Sequence, residues 1–405
     1  MKWKGFLSLV ICLFTLTGCW DLVEIEQISF VLASALDPFE DENVRRTYQS
    51  ETGRRMPKGM FQMTNQVVIP GQIEGGGEEE GSGSGEGPFF NISSTGMTSF
   101  KQNRSFATRR SRPMSYEHLK VILINEQLAR QGIIKHVLDF FFRDHEMRRD
   151  ILVLVSEGNG SEILEEKLPL EMMPALSIEM ISMNHARGHN IPPPKTIGEL
   201  TKNLIGHQSY IIPRILKGEK DGLKIGGAAV FRGKENKMVG WLGEYDVQGY
   251  SWVTGIIENE VIEATYEQDE NKVFVYENDY TDVEVNYSNE NGQFQFDVLI
   301  KAEGFFVENW IEPITLESLE TIGKLEKAVE EEIVRQSTKI VEKMQKEFYA
   351  DIFKFYEEVK IKDYRYWQEI RDHWDGKGGA FSNATININA DVKIRHYMPH
   401  EELEN

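Results

Sequence analysis

Cysteine is nearly absent from this chain: 405 residues carry two, Cys12 and Cys19. Cys12 lies inside an apolar leader, so the mature chain keeps Cys19 alone, which excludes an internal disulfide and a thiolate metal cage. Long apolar runs are missing too. Beyond Trp20 the longest, 121–124 and 151–155, are strand-sized, well short of the ~18 residues of a spanning helix. Positive charge is scarce: 45 Lys and Arg face 65 Asp and Glu, a net charge of −20. A body this acidic repels nucleic acid and anionic headgroups, so a nucleic-acid function is excluded. There is no Gly-x-Ser-x-Gly elbow, and Gly226-Gly227 sits within a strand-like run rather than in a phosphate-cradling loop. His185 and His189 have the spacing of a zinc pair on one helix face, but no Glu follows His185 and no third ligand accompanies them, so they read as surface histidines. Carboxylates are so many that no pair stands out for acid–base work. No enzyme activity, cofactor or metal is expected.

What is present begins at the N-terminus. Lys2 and Lys4 precede an apolar run of about eleven residues, 6–16, the length and polarity of a secretory signal. Leu16-Thr17-Gly18-Cys19 then has the small-residue-then-cysteine pattern of a lipobox. Cleavage between Gly18 and Cys19 leaves Cys19 as the mature N-terminus, carrying an S-diacylglyceryl group with or without a further N-acyl chain. The competing reading is an ordinary signal peptide with a chance cysteine near its end. Two acyl chains, at about 0.8 kcal/mol per buried CH₂, tether a protein firmly to a membrane face. Loss of Lys2 and Lys4 takes the mature charge to −22, so the anchor rather than electrostatics has to hold the body at the membrane.

The rest of the chain reads as α+β: three mixed α/β domains after the signal peptide 1–18. The first, 19–194, has strands expected at 25–37, 61–69, 89–94, 118–124 and 151–155, with helices between them and a loop at 39–59. Within it, 71–87 holds eight glycines and five glutamates and no basic residue, a composition that cannot bury enough apolar surface to stay ordered. A helix is expected at 126–131, started by Asn125 and ended by Gly132, and Ser161 is expected to cap another. Pro192-Pro193-Pro194 marks a boundary. A small middle domain, 195–256, is expected to hold a helix, a hairpin of 226–232 and 238–242, and an aromatic helix. The third domain, 257–398, has short strands at 272–276, 282–287 and 293–300, a turn at 289–292, one long helix with Leu319, Ile322, Leu325, Val329, Ile333, Ile340, Met344 and Phe348 on a single stripe and the pairs Glu320–Lys324 and Glu342–Lys346 in support, and an alternating final strand at 384–394. Residues 399–405 are a tail.

One basic island interrupts the acidic pattern: Lys101, Arg104, Arg109, Arg110 and Arg112. It reads either as a solvated face paired to the protein's own carboxylates or as a docking patch for an acidic partner.

Cys19-Trp20-Asp21 with Glu24-Ile25 close behind resembles the start of the Ger(x)C family, the lipoprotein C subunits of nutrient germinant receptors in endospore-forming bacteria. Four further stretches agree in order. They are His118-Leu119-Lys120 leading to Glu126-Gln127-Leu128-Ala129-Arg130-Gln131-Gly132-Ile133; Leu138-Asp139-Phe140 leading to Arg143-Asp144 and Arg148; Ala229-Val230-Phe231 leading to Val239-Gly240-Trp241-Leu242; and Asp351-Ile352-Phe353 leading to Trp367 and Trp374. The loop at 37–61 and the run 71–87 look like departures from the family. The resemblance implies a non-enzymatic receptor subunit on the outer face of the spore inner membrane, assembled with two integral membrane partners, the A-type and B-type subunits. The alternative is an extracytoplasmic solute-binding lipoprotein that delivers a nutrient to a transporter, which predicts two large lobes around a cleft.

Overall fold

Strand β1 (Ser29–Pro38) is the spine of the larger of two sheets. In the computed structural model the described residues are 28–39, 41–53, 59–69, 88–186, 191–218, 222–257, 259–290, 292–311 and 318–395. Cys19, the run 71–87 and the tail therefore lie outside them. The strands that join β1 are β2 (Phe61–Val68), β3 (Phe89–Gly96), β4 (Met114–Ser115), β5 (Val121–Asn125), β6 (Leu152–Ser156), β7 (Tyr210–Lys217), β8 (Leu223–Arg232) and β9 (Lys237–Leu242). Their order is β3-β2-β1-β5-β6-β7-β8-β9, with the short β4 also paired to β1. Pairing is parallel from β1 through β5 and β6 to β7, and antiparallel in the flanking pairs. β5 and β6 are buried on both faces, which is why Val-Ile-Leu-Ile and Leu-Val-Leu-Val are unbroken apolar runs rather than alternating ones.

Helices cover both faces. Ile122, Ile124, Val153 and Val155 pack with helices Glu126–Gln131, Asp139–Arg143 and Ile197–Gly206 on one side. Val121, Leu123, Leu152 and Leu154 pack with helix Pro174–Met183 on the other. Asn125 caps helix Glu126–Gln131 by accepting the Gln127 N–H at 2.8 Å, and Gly132 ends it in the left-handed region, as expected from the sequence. The turn Gly160–Ile163 is capped by Asp37 instead of Ser161: the carboxylate accepts the Gly160 and Ser161 N–H groups at 2.7 and 2.9 Å. A side chain distant in sequence from the turn wins because β1 ends directly beneath it.

Residues 195–256, expected as a small separate unit, have no sheet of their own. β7 pairs with β6 at Val155↔Arg214 and Ser156↔Ile215, and β8 and β9 extend the same sheet. β7 itself carries Pro213 in mid-strand, a residue that argues against a strand, and a register shift beside it accommodates the missing N–H. β8 alternates between two cores. Ala229 and Phe231 point into the core of the first sheet, while Ala228 and Val230 point into the core of the C-terminal half.

The second sheet runs β10 (Val261–Thr265), β11 (Val273–Glu290), β12 (Gln293–Asn309) and β13 (Thr385–Arg395) in that order, with only the β12–β13 pair parallel. Two segments expected as separate short strands are one 18-residue strand, β11, kept continuous by a bulge near Asn278. Helix Leu319–Lys343 lays Leu325, Val329, Ile333 and Ile340 on this sheet and against helix Glu244–Thr254. Its Glu326 and Glu330 accept the Ile394 and Val392 N–H groups, both at 3.1 Å, and so cover part of the free edge of β13.

Candidate functional site

The basic island is built by the return of the chain along β3. Helix Ser99–Phe106 starts at Thr98, whose hydroxyl accepts the Lys101 N–H at 3.3 Å, and buries Ser99, Gln102 and Phe106. That burial turns Lys101 and Arg104 to solvent, and Arg109, Arg110 and Arg112 follow, all exposed. Among the described residues none of the five lies within ion-pair distance of a carboxylate. Aromatic faces take that place: Arg104 stands over Phe100 at 5.2 Å, Arg109 over Phe106 at 5.6 Å and Arg110 over Phe90 at 4.4 Å. The Arg109 guanidinium also donates to the Ser93 carbonyl at 2.8 Å. A ring holds a guanidinium in place without cancelling its charge.

A second candidate was not singled out by sequence. Where the two halves meet, a cavity of about 660 Å³ is lined by Gln208, Arg232, Lys234, Trp367, Arg371 and Asp375, among others. Its wall is a buried hydrogen-bond chain. Asp351 accepts the N–H groups of Phe353 (3.1 Å) and Tyr356 (3.0 Å) and the Trp374 indole N–H (2.9 Å). Asp375 accepts the Asp351 N–H at 2.7 Å and the Ser209 hydroxyl at 2.6 Å, and Ser209 in turn accepts the Gly233 N–H at 3.0 Å. The chain thus ties the start of β7 and the β8–β9 turn to the C-terminal helices. Gly233 is required there, since a Cβ would sit 2.2 Å from the Gln208 carbonyl carbon. Burial, aided by the neighbouring Asp375 charge, pushes the Asp351 carboxyl up to about 7. Burial raises Asp375 as well. The sequence signal was Asp351 and Trp374 standing in one motif stretch; only the fold puts them in contact.

A similar joining occurs elsewhere: the Trp241 indole N–H on β9 donates to Glu126 at 2.8 Å, linking two other motif stretches. His185 is described but His189 is not, so the pair falls partly outside the described residues. Among the described residues there is no cluster of His, Cys, Asp and Glu able to hold a metal, and no helix is long and apolar enough to cross a membrane.

Two family models match the chain: the spore germination protein N-terminal domain over residues 21–217, and the spore germination B3/GerAC-like C-terminal domain over 226–398. The chain belongs to the GerAC-like spore germination family. It is 30% identical to spore germination protein YndF of Bacillus subtilis (strain 168) over 96% of this chain and 95% of that one. It is 28% identical to spore germination protein B3 of the same organism, over 95% of each. The crystal structure of the GerBC protein shares the fold, with a TM-score of 0.58 at 22% identity, covering 92% of this chain and 99% of that one. The mixed α/β architecture expected from sequence is therefore the family's. The division between the family models, at 217–226, falls on the β7–β8 connection rather than at Pro192-Pro193-Pro194.

Proposed function

We propose that this protein is the lipid-anchored, C-type subunit of a spore germinant receptor, acting without catalysis beside membrane-embedded A-type and B-type subunits in the response to nutrient germinants. The observation that carries the reading is the match of both family models in order across 21–398, following a lipobox at Leu16-Thr17-Gly18-Cys19. In this reading Cys19 carries the diacylglyceryl group and the body stands on the outer face of the spore inner membrane. The solute-carrier alternative calls for two lobes that close on a hinge. Against it stands β8, which is packed into both cores at once and leaves no hinge between them.

Fatty-acid labelling in a spore-forming host tests the anchor: Cys19→Ala should abolish the label, and undiminished label would sink the anchored reading. Affinity isolation from spore membranes tests the assembly. Recovery of two polytopic proteins with the wild-type chain is expected, and their absence under mild detergent would leave the subunit assignment without support.

A further inference from the structure

We propose that the basic island is the face this protein lays on anionic phospholipid headgroups, with Arg109, Arg110 and Arg112 nearest the bilayer. The proposal rests on the lipid-anchor reading above. Its first support is position. Ser29 begins β1, its N–H donates to the Pro113 carbonyl at 2.9 Å, and Ser29 and Phe30 pair with Met114 and Ser115. Arg112 is therefore next to the point at which the chain arrives from Cys19. The ten residues from Cys19 to Ser29 reach at most about 35 Å when extended, so an anchored chain keeps this end of the sheet close to the headgroups. Arg110 belongs to the same end. The ring beneath it, Phe90, is in register with Val67 of β2, and Val67 with Val31 of β1.

The second support is charge left over. Elsewhere the surface cations commonly meet carboxylates, as Lys120 meets Glu179 at 3.0 Å and Lys217 meets Glu166 at 2.6 Å. Among the described residues the five cations of the island meet none; three of them sit on rings. Phosphate oxygens of lipid headgroups are the anions that an anchored protein always has at hand, and guanidinium groups bind them bidentately. The net acidity of the body does not cancel this, because charges farther than the ~8 Å Debye length are screened at physiological salt. The segment 71–87, with five glutamates, leaves and re-enters the sheet at this end, where the Ile69 N–H donates to Pro88 at 2.8 Å. It is the charge that opposes the contact, and the test has to include it.

A chain starting at Cys19 keeps every described element and has one cysteine, so a maleimide lipid couples it to vesicles at the anchor position without cellular processing. The tether is then imposed, and failure here is separate from failure of lipidation in the cell. Amide hydrogen exchange over residues 99–113 is compared on phosphatidylcholine vesicles and on vesicles with about one third phosphatidylglycerol. Each arginine at an anionic surface counts for about fivefold in the contact equilibrium. With part of that lost to the acidic body, exchange should slow about tenfold on the anionic vesicles. High salt should reverse the slowing, as should Arg109→Glu with Arg110→Glu and Arg112→Glu. If that variant does not fold, the Gln versions at the same positions replace it. Equal exchange on the two vesicles overturns the proposal. So does slowing that persists in the charge variants. Exchange already slow without vesicles, and quickened by a Gly-Ser replacement of 71–87, would assign the island to the chain's own glutamates. Loss of the polytopic partners on charge reversal, with equal exchange on both vesicles, would assign it to an acidic protein.

Discussion

Replacing Asp351 by Asn should change how stability depends on pH, and the sign follows from the burial of its carboxyl. In the folded chain this group ionises near pH 7, against 3.8 when unperturbed. Between those values the folded state keeps a proton that the unfolded state has lost, so this residue's contribution is fully present below pH ~4 and is lost as pH rises to ~7. At about 1.36 kcal/mol for each pH unit of that interval, the change is on the order of 4 kcal/mol across the window. For a chain of this size that corresponds to about 5 °C in melting temperature. Asn cannot titrate. It also supplies one acceptor oxygen where the carboxylate accepts from Phe353, Tyr356 and Trp374, a loss of about 1–3 kcal/mol that is the same at every pH. Melting curves of the chain from residue 20, with and without Asp351→Asn, taken from pH 4.5 to 8.5, separate the two effects. The variant should melt well below the wild type at the acid end and close the gap, or overtake it, at the alkaline end. Asp375→Asn, which removes the neighbouring charge, should shift the wild-type transition toward lower pH. A difference between wild type and Asp351→Asn that stays constant across the range would refute the reasoning.

Three further outcomes are expected. Gly249→Ala should lower stability by about 1–3 kcal/mol, measured by urea unfolding, because its Cβ would lie 2.6 Å from the Gln336 carbonyl oxygen and force apart helices Glu244–Thr254 and Leu319–Lys343; an unchanged midpoint would refute that contact. Gly240→Ala would bring a Cβ to 2.3 Å from the Phe348 ring, so its cost should shrink in a Phe348→Ala background, whereas strictly additive losses would show that the two positions do not meet. Replacing 71–87 by a short Gly-Ser link should move the melting temperature very little, since loop closure depends only weakly on length; a fall of several degrees would show that this segment packs.

The elements that sequence made legible are those whose signals are local. Asn125 and Gly132 bracket a helix by side-chain capping and a left-handed glycine, both readable within eight residues. The helix Leu319–Lys343 buries its stripe from Leu325 to Ile340, while Leu319 in its first turn is exposed because the sheet does not reach that far, and the expected pairs Glu320–Lys324 and Glu342–Lys346 are present at 3.4 and 3.1 Å. What was not legible depends on partners far away. The helix Glu42–Thr52 fell in a stretch read as loop because it is polar and almost wholly exposed, with no apolar stripe to report it; its Asp41 cap and Gly53 terminus were the available signs. β7 was missed because Pro213 masks a strand that only its neighbours β6 and β8 stabilise. The cavity wall was invisible for the same reason: Ser209, Asp351 and Asp375 become one network only when two halves of the chain meet.

The double-sided packing of β8 also bears on how this protein can be divided. A cut in the β7–β8 connection, where the two family models part, would leave the first fragment ending on an open β7 edge with Tyr210 and Ile212 deprived of Phe231 and Ala229. The second fragment would begin with two strands that have no sheet to join. Exposed edges of that kind pair with one another, so each fragment made alone should aggregate, while the two produced together should find each other through the missing strand. The two family models thus divide one packed body, and a stable fragment is expected only where β8 keeps both of its cores.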